Sequence, residues 1–190
     1  MESLFNMQWD KTVLWYVNHR WQNPFFDWLL PAIRNAELWT PLYLFLILFV
    51  LINYKKTGWW WVLAAVCTPI LADLISSHLI KEYIIRVRPC NEPALAGWLR
   101  MYPGIYRPQS SSFTSSHATS HFGMAMYLFL TLKQKIGRSA WLFFAWAAAI
   151  CYAQMYVGVH YPLDLIGGAI VGSMIGYTTA TVFNKNKVLE

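Results

Sequence analysis

Charged positions fall in clusters along this chain and leave long uncharged blocks between them. No Asp, Glu, Lys or Arg occurs at residues 38–54, 57–72, 108–132, 139–163 or 165–184. A hydrocarbon core about 30 Å thick is crossed by roughly 20 apolar residues in helical form, about 17 at the short end. The blocks therefore predict five membrane-spanning helices, at 37–54, 59–80, 114–132, 139–158 and 162–183. Residues 1–35 read differently. Apolar residues at 9, 13, 16 and 17 are interleaved with Asp10, Lys11, Asn18, His19 and Arg20, and Pro24 to Arg34 mixes Phe25, Phe26, Trp28, Leu29 and Leu30 with Asp27 and Arg34. That is the pattern of amphipathic helices in the membrane interface, with a tilted sixth span as the alternative. Residues 87–113 form one long connection carrying Pro89, Pro93, Pro103, Pro108, Gly97 and Gly104. A loop of that length in a compact protein is usually functional or mobile. The expectation is an all-α, polytopic transmembrane bundle built as one domain, with an interfacial segment 1–35 and a membrane core 36–185.

Composition narrows the class. Of 190 residues, 57% are hydrophobic and 13% are charged, against about 25% charged in an ordinary soluble domain. This excludes a soluble enzyme, a disordered chain and a disulfide scaffold. The net charge of +6 matters less than its placement. Lys55 and Lys56, then Lys133, Lys135 and Arg138, then Lys185 and Lys187 mark three cytoplasmic points by the positive-inside tendency. The opposite ends of the spans then face the periplasm or exterior, and the C-terminus the cytoplasm, as in a bacterial inner membrane. No basic run exceeds two residues, so nucleic acid is not an expected partner. Cys67, Cys90 and Cys151 show no metal or disulfide spacing, and neither a metal nor a cofactor is expected. Met-Glu-Ser at the start lacks a basic signal-peptide region, so the spans themselves direct insertion.

Polar residues collect at the non-cytoplasmic ends of the spans. The second ends in Asp73, Ser76, Ser77, His78 and Lys81, followed by Arg86, Arg88 and Pro89. The third opens with Ser115, Ser116, His117 and His121. The fourth ends in Gln154 and Tyr156, and the fifth opens with His160, Tyr161, Pro162 and Asp164. Ionisable groups at membrane depth are costly and point to function. The set suits phosphoryl transfer. Lys81 and Arg88 can neutralise a phosphate, Arg with bidentate contacts. Ser115 and Ser116 sit where free N–H groups at a helix start attract an anion. Asp164, four residues after His160, can fix its tautomer and leave the other nitrogen to attack phosphorus. His117 titrates near neutrality and can protonate the departing oxygen.

These residues resemble a family. Lys81 and Arg88-Pro89 fit a pattern of Lys, six residues, Arg-Pro. Thr114-Ser115-Ser116-His117 is similar to Pro-Ser-Gly-His, and Ala153-Gln154 with His160 and Asp164 is similar to Ser-Arg, five residues, His, three residues, Asp. All three in this order resemble the type 2 phosphatidic acid phosphatase superfamily of integral-membrane lipid phosphate phosphatases, over about residues 70–185. The resemblance implies metal-independent hydrolysis through a phosphohistidine. His160 would be the nucleophile, Asp164 its orienting partner and His117 the acid and then base, while Lys81, Arg88, Ser115, the N–H of Ser116 and Gln154 would bind substrate. It also suggests undecaprenyl diphosphate or a similar isoprenoid diphosphate as substrate. Phosphatidic acid, phosphatidylglycerol phosphate and lipid A phosphate are alternatives, as are a phosphotransferase and a non-catalytic lipid-phosphate binder. Two departures stand out: Gln154 and Ala153 replace Arg and Ser, and Thr114 and Ser116 replace Pro and Gly. Arg86, Arg107 and His121 are the sequence candidates for the missing charge.

Simpler roles fit other residues. Arg86 reads as solvated or headgroup-facing, Asp73 as a buried structural partner, and His121 as a satisfied polar residue behind His117. Trp98, Met101 and Tyr102 read as dipping into the interface. Arg100 and Arg107 suit either a headgroup or the surface. Gly168, Gly172 and Gly176 repeat every four residues and favour close packing inside the bundle, with a homodimer face as the alternative.

Overall fold

The computed structural model describes residues 7–186 and Leu189; Lys187 and the first six residues of the amphipathic segment lie outside the described residues. Every regular element among them is helical. Helix α1 spans Gln8–Trp15 and runs into a π-turn at Tyr16–Arg20; α2 spans Pro24–Ile33. Asn23 caps α2 by accepting from the Phe26 N–H, and Pro24 occupies its first position, where a missing N–H costs nothing. Then follow α3 at Thr40–Leu74 with a π-turn at Ile75–Ile80, α4 at Ser116–Ile136, α5 at Leu142–Tyr156 and α6 at Pro162–Asn186.

Three stretches are long and apolar enough to cross a membrane: Ala36–Ile80, Ser116–Tyr156 and Pro162–Asn186. The first two double back. Lys55 breaks the helical backbone of α3 (φ 43°, ψ −118°), and Leu46 and Val50 cluster with Trp61 and Ala65. Residues so far apart in sequence would be tens of ångströms apart in a straight helix. Likewise Gly137, with φ 58°, ends α4, and Phe129 of α4 meets Trp141 and Phe144 at ring separations of 4.8 and 5.4 Å. The result is five helical legs that coincide with the five predicted segments to within a few residues.

Helix α4 is the hub, in contact with α3, α5 and α6. Its seam with α6 depends on the glycine repeat. A Cβ on Gly172 would lie 2.1 Å from the Thr119 carbonyl oxygen, and one on Gly176 2.1 Å from that of Gly123. The stripe is thus filled from within the molecule, which removes it as a homodimer face. Indole and hydroxyl groups in this core find partners: Trp61 donates to Thr131 at 2.9 Å, and Tyr127 to the Trp61 carbonyl at 2.9 Å, as buried polar tips require.

The N-terminal segment does more than lie in an interface. Asn18, fully buried, donates to the carbonyls of Tyr156 (2.8 Å) and Arg100 (2.9 Å) and accepts from the Arg100 N–H at 2.8 Å. It thereby satisfies the open carbonyl end of α5. Gly158, at φ +78°, leaves room for this amide. Arg100 grips Asp27 of α2 through two bonds of 2.7 and 2.6 Å, so it is not open to a headgroup. Trp98 packs with Leu14, Leu95 and Tyr161, and Met101 and Tyr102 with Cys90 and Val157; all three belong to the protein's own core.

Candidate active site

At the end of the bundle where α4 and α6 begin, His160 is buried in the turn between α5 and α6. Its Nε2 lies 2.9 Å from Nη1 of Arg88. A guanidinium only donates, so Nε2 is the acceptor and the ring proton sits on Nδ1. That nitrogen faces Asp164 Oδ2 and Ser112 Oγ, each at 3.5 Å. These contacts are long for hydrogen bonds, as resting catalytic contacts often are. Burial pushes the His160 imidazole down to about 4, against the opposing pull of Asp164. The histidine is therefore neutral around pH 7, with its lone pair on the nitrogen away from the carboxylate.

Asp164 is held more firmly by other groups. Oδ1 accepts from Arg86 Nη1 at 2.6 Å, and Oδ2 accepts from the Tyr161 N–H at 2.9 Å and from the Ser112 hydroxyl. Arg86 is 6% exposed, not headgroup-facing as its sequence context suggests. Its other arm donates to Asp10, and its Cζ stands 4.0 Å over the Tyr161 ring. Asp10, fully buried, also accepts from the Leu163 N–H at 2.8 Å in the first turn of α6, where a carboxylate is favoured. Asp10 is not recognisable as a site residue from sequence, because a single acid in an amphipathic stretch looks solvated.

Arg88 uses all five of its N–H donors. They go to the carbonyls of Ser110 (2.9 Å), Ser111 (3.3 Å) and Val159 (3.3 Å), to the Ser110 hydroxyl (3.1 Å) and to His160. Ser111 also accepts from the Arg86 N–H at 3.1 Å. The run Ser110–Ser112 thus fixes both arginines and Asp164. Its role is not legible in the sequence, because it depends on residues remote in the chain.

The predicted N-terminus of α4 is present. Ser115 is its N-cap, accepting from the Ala118 N–H at 3.4 Å. Lys81 Nζ donates to Ser116 Oγ at 2.5 Å, and Ser76 and Ser77 lie within 3.4 and 3.2 Å of the same hydroxyl. Burial and the Arg88 charge lower the Lys81 ammonium from its usual range. His117 is half-buried, and its ring has no hydrogen-bond partner among the described residues. His121 stacks on it with ring centroids 6.2 Å apart and donates Nδ1–H to the His117 carbonyl at 2.7 Å, a satisfied polar group as expected. Asp73 is exposed, not buried, and accepts from Ser77. Gln154 is fully buried, yet its Oε1 and Nε2 find no partner among the described residues. Arg107 is exposed.

Alongside, an apolar cavity of about 380 Å³ is lined by Tyr43, Ile47, Trp61 and Pro69 and reaches His121 and Trp146. The site therefore joins the cationic side chains of Lys81 and Arg88, a neutral buried histidine whose Nε2 lone pair is covered by Arg88, a second histidine and an apolar chamber.

The profile of the PAP2 superfamily matches residues 58–187, and the chain belongs to that family. It is an integral membrane protein of the phosphatase class. Among relatives, it is 30% identical to the lipid A 4'-phosphatase of Bacteroides thetaiotaomicron over 160 residues, which cover 82% of this chain and 68% of that one. It is 27% identical to the undecaprenyl-diphosphatase of Sulfolobus acidocaldarius over 157 residues, 80% of this chain and 67% of the relative. Its fold matches the PAP2-type phosphatidylglycerolphosphate phosphatase of Bacillus subtilis with a TM-score of 0.69 at 16% identity, over 99% and 92% of the two chains.

Proposed function

We propose that the protein dephosphorylates a membrane lipid phosphate without a metal, through a phosphohistidine on His160. The observation that carries this reading is the Arg88–His160–Asp164 arrangement, which presents a neutral imidazole with Nε2 as the free base. The phosphoryl group enters the cradle of Lys81, Arg88, the Ser116 N–H and the start of α4, with Ser115 holding that start in place. Arg88 turns its Nη1 from Nε2 to a phosphoryl oxygen, so substrate binding itself uncovers the nucleophile. Nε2 then attacks phosphorus, the N–P bond forms, and the P–O bond to the lipid breaks. His117 protonates the departing oxygen, the bound phosphate having supplied the negative charge that favours its protonated form. Asp164 stabilises the Nδ1–H side of the imidazole as positive charge develops. In the second half, His117 takes a proton from water, whose oxygen attacks phosphorus and releases His160.

The apolar cavity beside His121 suits the hydrocarbon part of such a substrate. Among lipid phosphates, the relatives favour a lipid A-type sugar phosphate or undecaprenyl diphosphate. The clusters at Lys55–Lys56 and Lys133–Arg138 lie at the other end of the bundle from His160, which supports a site on the periplasmic or outer face with the C-terminus in the cytoplasm.

The test is phosphate release by purified protein in excess EDTA from lipid A, undecaprenyl diphosphate, phosphatidic acid and phosphatidylglycerol phosphate. EDTA-resistant release that disappears in His160→Ala is expected. Undiminished turnover in that variant contradicts the nucleophile assignment.

A further inference from the structure

We propose that Arg34, at the end of α2, is a phosphate-binding residue that supplies the positive charge Gln154 lacks. The inference rests on the phosphatase reading above and adds to it a ligand from outside the family motifs.

Arg86 is held between Asp10 and Asp164, and Arg107 is exposed on the long loop. Arg88 spends four of its five donors on Ser110, Ser111 and Val159, so only the Nη1–H that meets His160 can turn to the phosphoryl group. Lys81 is bonded to Ser116, so one ammonium and one guanidinium donor serve a dianion or a diphosphate. Gln154 brings dipoles and no charge.

Arg34 differs from all of these. Its side chain is half-buried, and it has neither a hydrogen-bond acceptor nor a counter-ion among the described residues. Cations withdrawn from water are normally paired, so an unpaired guanidinium here is poised for an anion. Its position fits. Ile33, the preceding residue, packs in one cluster with Leu30, Ala153 and Tyr156, so the end of α2 lies on the turns of α5 that carry Ala153 and Tyr156. Ala36, two residues on, lines the apolar cavity that also reaches His121, whose ring stacks on His117. The end of α2 therefore stands on the same side of the bundle as the proposed acid, in keeping with the action of the Arg88 charge on Arg34 and of the Arg34 charge on His117. The guanidinium would bind two phosphoryl oxygens through paired N–H donors. The apparent loss of an arginine from the third motif is then a relocation, from α5 to the helix packed against it.

The test combines turnover with anion binding. Arg34→Ala, Arg34→Lys, Gln154→Arg and the double variant Arg34→Ala/Gln154→Arg are assayed for lipid phosphate hydrolysis. Orthovanadate and inorganic phosphate affinity is followed by tryptophan fluorescence, and thermal stability is measured in the same detergent. Arg34→Ala should lower kcat/KM about a hundredfold, the usual scale for one charge-stabilising group. It should weaken vanadate binding tenfold or more and leave the unfolding temperature near wild type. Arg34→Lys should recover part of the activity, and Gln154→Arg should rescue Arg34→Ala. A helix-end role alone would lower the unfolding temperature and leave vanadate affinity intact, which overturns the proposal. So does undiminished turnover and affinity in Arg34→Ala, or a wild-type protein that binds neither anion. If wild type binds vanadate but hydrolyses no lipid, the phosphatase reading fails while the affinity of Arg34→Ala still decides the role of Arg34.

Discussion

His160 shows how one residue's environment sets its chemistry. The donor-only guanidinium of Arg88 assigns the ring proton to Nδ1, and burial keeps the ring neutral down to about pH 4. Acidity then destabilises the fold with a definite sign. An unfolded histidine takes up its proton near 6.5 and the folded one near 4, so the unfolded state binds more protons between these values. Stability should fall as pH drops from 6.5 towards 4, and His160→Asn should flatten that slope in thermal unfolding scans. A slope unchanged by the substitution would place the titration elsewhere. Most motif residues were legible in the sequence: Lys81, Arg88, His117, His160 and Asp164 could be picked out because their spacing follows helix ends. Asp10, Arg34 and Ser110–Ser112 were not. Each looks like an ordinary polar residue until a helix remote in sequence packs beside it.

At the scale of elements, the uncharged blocks predict five membrane-spanning helices, and the described chain is helical through most of each predicted segment, within three stretches long and apolar enough to cross a membrane; helices satisfy their own backbone groups in hydrocarbon. The turns at Lys55 and Gly137 coincide with breaks in that pattern. What the pattern could not assign was the partner of each helix face. The glycine stripe of α6 is closed by α4, with backbone oxygens where a Cβ would stand. Gly172→Ala should therefore lower the unfolding temperature, by the equivalent of about 1–3 kcal/mol for an overpacked contact or more. Gly97→Ala, with open space around it, should leave it unchanged. Because α4 carries Ser116 and His117 and is capped by Ser115, the Gly172 variant should also lose activity. Equal behaviour of the two variants in unfolding scans would contradict the close seam.

Across the whole molecule, the N-terminal segment and the long loop are bonded to each other and to the helix ends that carry the site. Asp10 links α1 to Arg86 and the start of α6, Asn18 ties the π-turn to the end of α5, and Asp27 holds Arg100 of the loop. The segment read from sequence as interfacial is a structural part of the site, which amphipathic periodicity alone does not reveal. Asp10→Asn weakens the charge-assisted bonds to Arg86 and the Leu163 N–H, while Arg86 keeps Asp164 as its counter-ion. It should lose about 1.5–3 kcal/mol of stability, read by unfolding in detergent. It should also reduce kcat more than it raises KM, because Arg86 then holds Asp164 less firmly. A neutral outcome would detach the N-terminal segment from the site.

The central claim is that His160 carries the phosphoryl group, and the most direct measurement is to trap it. Rapid acid-free quenching of the enzyme with a lipid phosphate labelled at phosphorus should leave label on the protein. That label should be stable to base and released by acid, as a phosphoramidate is, and peptide mapping should place it on His160. His160→Ala should carry none. Turnover with no label at any quench time, or label retained by His160→Ala, would contradict the account.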